Sequence, residues 1–130
     1  MRFHIDHARI AFAIAAAAAC ALTGCSFRSK PPEQVVVDGD AARGKAAIDK
    51  FGCGACHDIP GIRDANGMVG PPLTHWSQRR VIAGEVENTP DRLVAWIMAP
   101  QVIEPGNAMP NMGIGNGDAR DIAAYLYTIR

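Results

Sequence analysis

Cys53-Gly54-Ala55-Cys56-His57 decides how this 130-residue chain is read. Two thiols three positions apart, followed at once by an imidazole, form the attachment pattern of a c-type haem. Both thiols can reach the two vinyl groups on one edge of a porphyrin, so Cys53 and Cys56 are expected to become thioethers. His57 then emerges beneath the ring as the proximal iron ligand. Gly54 and Ala55 are small, which should let the bridging turn lie flat against the macrocycle. A dithiol redox motif belongs in an alternating strand and helix pattern, and none is visible. A structural zinc site needs two further ligands at recognisable spacing, and no second Cys pair or His pair follows.

Upstream, Arg2 and Arg9 precede an apolar, Ala-rich run from Ile10 to Leu22. At about 13 residues it suits a signal h-region and is short for a membrane span. It ends in Leu22-Thr23-Gly24-Cys25, which resembles a bacterial lipobox. Residues 1–24 are therefore expected to be a lipoprotein signal peptide and Cys25 the lipidated residue. Several acyl chains at roughly 0.8 kcal/mol per buried CH₂ anchor a protein stably. An ordinary signal peptide or an uncleaved short anchor is the competing reading. Residues 25–38 read as the lipidated Cys and a flexible tether, extended at Pro31-Pro32, with Val35 to Val37 apolar enough to dock on the domain. Residues 39–130 form one small domain.

The four cysteines are then all accounted for. Cys20 leaves with the signal, Cys25 takes lipid, and Cys53 and Cys56 take haem, so no disulfide framework remains. The chain has 13 basic and 13 acidic residues; removing Arg2, Arg9 and Asp6 leaves 11 and 12. A net charge near zero excludes a basic nucleic-acid footprint. A domain this short has a thin core, and the haem would supply much of its apolar interior.

The punctuation predicts helices and long loops with no strand pair. A first helix starts at Asp38 or Asp40 and runs to Phe51, with Gly52 past its end. Gly44 inside it costs roughly 1 kcal/mol relative to Ala, which points to close approach of another helix. Residues 58–79 are dense in Gly and Pro and read as a long ordered loop wrapped around something. Thr89, Pro90 and Asp91 open a further helix that Pro100 stops. The last helix starts near Asn116, with Ile122, Tyr125, Leu126 and Ile129 in one stripe. The fold class is all-α.

On the other face of the iron the candidates are Met68, Met98, Met109, Met112 and His75. Met109 and Met112 share an irregular segment between two helices, where backbone can project a thioether inward without breaking a helical ladder. A soft sulfur ligand favours ferrous iron and raises the potential. Spacing alone leaves these two open.

From Gly39 to the C-terminus the chain resembles a class I c-type cytochrome. Gly39-Asp40-Ala41-Ala42-Arg43-Gly44-Lys45 is similar to the family's first helix, whose Gly packs against an aromatic of the last; the resemblance gives those roles to Gly44 and Tyr125. Gly70-Pro71-Pro72-Leu73 resembles the segment whose Pro carbonyl accepts from the proximal imidazole, which implies Pro71. Pro105-Gly106-Asn107-Ala108-Met109 resembles the Pro-Gly-x-x-Met loop, which implies Met109 as iron ligand with Met112 as runner-up. Trp96 falls where the family lines the Met side of the haem. Asn88, Trp76, Arg79 and Arg80 are candidates for the haem propionates.

The resemblance implies a cytochrome c fold of three to four helices and long loops around one covalent haem c. It implies a one-electron carrier and not an enzyme, without a small-molecule substrate. The expected partners are redox proteins: a quinol-oxidising complex as donor and a haem-copper oxidase as acceptor, since the segment from Asn88 onward is similar to cytochrome domains associated with such oxidases. The expected location is a bacterial membrane, the lipid-anchored protein facing the periplasm or the outer face of the cytoplasmic membrane. A fixed haem-relay subunit of a respiratory or dehydrogenase complex, and an open-site haem sensor or peroxidase-like enzyme, are the alternatives. With Lys45 and Lys50 as the domain's lysines, electrostatic steering should be weak.

Overall fold

Asp40 caps the first helix. In the structure, a computed structural model that describes residues 34–130, its carboxylate accepts the Arg43 N–H at 2.8 Å and α1 spans Ala41–Lys50. The expectations for residues 1–24, for Cys25 and for the tether up to residue 33 lie outside the described residues. Val36 is buried against the domain, and Arg120 donates to the Val37 carbonyl at 3.0 Å, so residues 34–38 lie along its surface. Gly52, at φ 67°, turns the chain out of α1 into a 3₁₀ turn over Cys53–Ala55.

Residues 58–79 form the expected loop, closed by a bridge between Asp58 and Asn66 and ending in a 3₁₀ turn over Trp76–Gln78. A small hairpin follows that the sequence pattern did not announce. Strand β1 (Val81–Ile82) pairs antiparallel with β2 (Val86–Glu87) through a turn in which Ala83 and Gly84 have positive φ. Strands of two residues are too short to show alternation.

Helix α2 spans Pro90–Met98, with Thr89 at its N-cap position and Pro90 at the first turn, although the Thr89 side chain makes no capping bond. Pro100 does more than end this helix. The residue before a proline is pushed out of the helical region, and the chain breaks at Ala99 (φ −149°). Proline is also well placed at a helix start, and Pro100 opens a second short helix, α3 (Pro100–Ile103). Helix α4 spans Asn116–Thr128 and packs against both α1 and α2. Ile48 of α1, Leu93 and Ile97 of α2, and Ile122 and Leu126 of α4 form the buried core. Each such side chain contributes about 1.5–3 kcal/mol when fully buried. The fold is all-α apart from the one hairpin.

Gly44 is where α1 meets α4. A Cβ there would run into the main chain at the Asp121 carbonyl, with Ile122 N 3.0 Å away. Tyr125, on the same helix as Asp121, donates from its hydroxyl to the Pro60 carbonyl at 2.8 Å. The same crossing carries an ion pair. Asp121 accepts from Arg43 Nε at 2.7 Å, Arg43 Nη2 at 2.8 Å and the Asp40 N–H at 2.7 Å. The Arg43 guanidinium holds the Asp121 carboxyl below the usual carboxylate range.

Candidate functional site

Cys53, Cys56, His57, Pro71, Trp96, Met109 and Met112 line one cavity of about 860 Å³. Its walls are mostly apolar, with Ile48, Leu93, Ile97, Ile122 and Leu126 contributed by the three long helices. The volume lies at the upper end of the range for sites that enclose a single ligand.

The 3₁₀ turn presents Cys53 and Cys56 half-buried at this cavity, not joined to each other by a disulfide. Burial pushes the Cys53 thiol above its ordinary range. The attacking thiol of a redox dithiol has the opposite shift, so this burial lends the redox-dithiol reading no support. Among the described residues no group of three or more His, Cys, Asp or Glu could hold a metal ion, which removes the zinc reading. Gly54 and Ala55 correct a detail: neither lines the cavity, and a Cβ on Gly54 would lie 2.6 Å from Ala65 Cβ. The small residue serves loop packing, not contact with a ring.

His57 Nδ1 lies 2.7 Å from the Pro71 carbonyl. A carbonyl can only accept, so Nδ1 carries the hydrogen and Nε2 is the nitrogen with the free lone pair. Gly70 passes close beside this ring; a Cβ there would be 2.6 Å from Nδ1 and 2.9 Å from Nε2. The Gly70 N–H donates to the Cys56 carbonyl at 2.8 Å, which ties that loop to the motif itself.

Of the sulfur and imidazole candidates for the opposite face, Met68 is 93% exposed, and Met68, Met98 and His75 do not line the cavity. Met109 is half-buried and packs on the core, whereas Met112, also in the cavity lining, is 41% exposed. Among the described lining residues His57 is the sole imidazole, so no distal His supports a peroxidase-like arrangement.

The polar end of the cavity sorts the propionate candidates. Asn88 is not free for that role: it donates to the Trp76 and Arg79 carbonyls at 3.4 and 3.0 Å and accepts from the Tyr127 hydroxyl at 2.8 Å. Arg79 and Arg80 line the cavity, and Arg79 donates to the Pro72 and Thr74 carbonyls and lies over the Trp76 ring, 5.1 Å from its centroid. Trp76 is 5% exposed, yet its indole Nε1–H has no partner. A buried donor left unpaired is costly, and one in the cavity wall beneath the Arg79 guanidinium suits an anionic acceptor such as a propionate. Paired thiols, an imidazole with a free Nε2, a thioether, apolar walls and this anion-ready end fit a covalently attached haem.

Comparison with known proteins agrees. The cytochrome c family model matches residues 41–130. The chain is 34% identical over 91 residues to cytochrome c oxidase subunit 2 of Alkalihalophilus pseudofirmus, covering 69% of this chain and 26% of that protein. It is 31% identical over 113 residues to the cytochrome c-type cyt cy of Rhodobacter capsulatus, covering 76% of this chain and 56% of that one. The chain thus spans only about a quarter to a half of these relatives. In fold it is similar to cytochrome c2 of Paracoccus denitrificans, with a TM-score of 0.50 at 22% identity, covering 69% of this chain and 95% of that one. The chain belongs to the cytochrome c family, as a class I c-type cytochrome carrying one covalently attached haem c.

Proposed function

We propose that this cytochrome is a lipid-anchored carrier on the outer side of a bacterial membrane, with His57 and Met109 as its two axial iron ligands. It takes one electron from a quinol-oxidising complex and passes it to a haem-copper terminal oxidase. When bound, the haem supplies a one-electron ferric/ferrous couple. The chain's own residues keep that couple ready. The Pro71 carbonyl orients His57 and strengthens it as a donor through Nδ1. Met109 offers a neutral, soft sulfur. The apolar wall formed by Leu93, Trp96, Ile97, Ile122 and Leu126 excludes water. The half-exposed Cys53 and Cys56 keep one edge of the site near the surface, where a partner can approach.

The observation that carries this reading is that Met109 lines one cavity with His57 and is half-buried, whereas Met112, which lines it too, is 41% exposed, and Met68, Met98 and His75 are not in its lining. The oxidase subunit among the relatives supports an oxidase as acceptor. It also favours a second reading, a fixed relay within an oxidase complex, because the matching region is a quarter of that longer protein. The test is the absorption spectrum of ferric and ferrous protein beside Met109→Ala. Wild type should show the ferric Met–iron charge-transfer band and resist carbon monoxide in the ferrous state, and the variant should lose the band and bind the gas. A wild type without the band that binds carbon monoxide readily would sink the carrier reading. Cys25→Ser should release the protein from membranes, and co-purification of wild type with oxidase subunits separates fixed relay from mobile carrier.

A further inference from the structure

We propose that Gln101 is the positioning residue that keeps Met109 seated, and that it thereby closes the iron face opposite His57 to small molecules. This rests on the reading of Met109 as axial ligand.

The segment that carries Met109 has little main-chain support. Among the described residues, those from 105 to 113 make a single backbone–backbone hydrogen bond, from Asn107 N–H to the Glu104 carbonyl at 3.3 Å. Asn111 Oδ1 accepts the Gly113 N–H at 3.1 Å, and two other side-chain amides hold the part around Met109. Gln101 Nε2 donates to the Asn107 carbonyl at 2.7 Å and to the Met109 carbonyl at 2.9 Å, while Gln101 Oε1 accepts the Gly106 N–H at 3.1 Å. Asn107 Oδ1 accepts the Met109 N–H at 2.8 Å, and Asn107 Nδ2 donates to the Glu104 carbonyl at 2.6 Å. Both main-chain polar groups of Met109 are therefore satisfied by side chains.

Gln101 suits this role because its base is fixed. It lies on α3, whose first residue, Pro100, is fully buried. The loop returns past it through Gly106, at φ 86°, a left-handed turn that few other residues adopt. Pro110 limits Met109 to extended backbone from the other side. With the carboxamide in place, the Met109 main chain has one seat. Without it, two carbonyls and one N–H of the loop lose their partners, and an open loop becomes more populated at little cost.

Two variants of the haem-loaded protein test the idea, with imidazole as the probe and its rate of binding to ferric protein as the readout. Gln101→Glu keeps size and an acceptor for the Gly106 N–H but turns a carboxylate toward two carbonyls. Gln101→Leu removes all three bonds. Both should bind imidazole about tenfold faster than wild type, or more, with the His57 half of the site undisturbed. Tyr125→Phe, which removes the hydrogen bond to the Pro60 carbonyl, is the control for general loss of stability and should bind at the wild-type rate. Equal rates in wild type and both Gln101 variants would overturn the clamp, as would equal acceleration in Tyr125→Phe. Wild type that takes up imidazole at once and lacks the Met–iron band overturns the Met109 reading and the clamp together; slow wild type with unresponsive variants overturns the clamp alone.

Discussion

His57 and Met109 line the same cavity, but the chain holds them by different means. The His57 side is fastened by main chain. His57 N–H donates to the Cys53 carbonyl at 3.1 Å, Gly67 N–H to Gly54 at 3.1 Å, Gly70 N–H to Cys56 at 2.8 Å and Leu73 N–H to Asp58 at 2.8 Å. The imidazole itself bonds to a main-chain oxygen. The Met109 side is fastened by the carboxamides of Gln101 and Asn107. Main-chain bonds survive most changes of side chain, whereas a side-chain clamp is lost with one substitution. Local stability is uneven in such a molecule, and the Met109 loop is its labile half.

Both halves lean on the crossing of α1 and α4, so the largest effect is expected there. Gly44→Ala places a methyl group against the Asp121 carbonyl, which is backbone and cannot swing aside. Ala gains roughly 1 kcal/mol of helix propensity, but overpacking of this kind costs about 3 kcal/mol or more, so the clash wins. Denaturant unfolding should show that loss, with both axial signatures failing together; loss of one alone would show that the halves do not share this support. Gly70→Ala is the next test and should damage one half only. Its Cβ would crowd the His57 ring and force it off the Pro71 carbonyl. A cost of about 1–3 kcal/mol is expected, together with altered His hyperfine shifts in paramagnetic NMR and an unchanged rate of imidazole entry from the Met side.

The smallest effect concerns the ion pair at the crossing. Asp121 has a lowered pKa in the folded protein, so its contribution is present in full above the ordinary carboxylate pKa of about 3.9 and is lost as pH falls through the folded value. Arg43 is 64% exposed in its side chain, and solvent screening keeps the effect modest. In Asp121→Asn, the thermal midpoint should fall less steeply than wild type below pH 4 while lying slightly lower at pH 7. Parallel curves would show that Asp121 does not titrate with folding.

Much of the His57 half was legible in the residues because its logic is local, thiol spacing and an adjacent imidazole, while Pro71 came from the resemblance of Gly70-Pro71-Pro72-Leu73. Helix ends were legible for the same reason, at Asp40, Gly52 and Pro90. The Met109 loop was legible through the Pro-Gly-x-x-Met resemblance, but not what holds it. Gln101 carries no signal of its own in the sequence, since an exposed Gln in a short helix reads the same until the turn at Gly106 brings the loop back. Asn88 was one of four propionate candidates, and its place as a buried amide that gathers the Trp76 and Arg79 carbonyls and the Tyr127 hydroxyl is defined by segments far apart in the chain.

The sequence by itself determined that this chain carries a covalent haem with helices around it, and it pointed to His57 as an iron ligand, because thioether chemistry and helix punctuation act over a few residues. Tertiary structure alone brought Met109 and Met112 to one cavity with His57 and kept Met68, Met98 and His75 out of its lining, set the unpaired Trp76 indole in its wall, and tied the Met109 loop to Gln101 and Asn107. Those outcomes depend on distances between segments that the chain brings together only when it closes around an apolar interior.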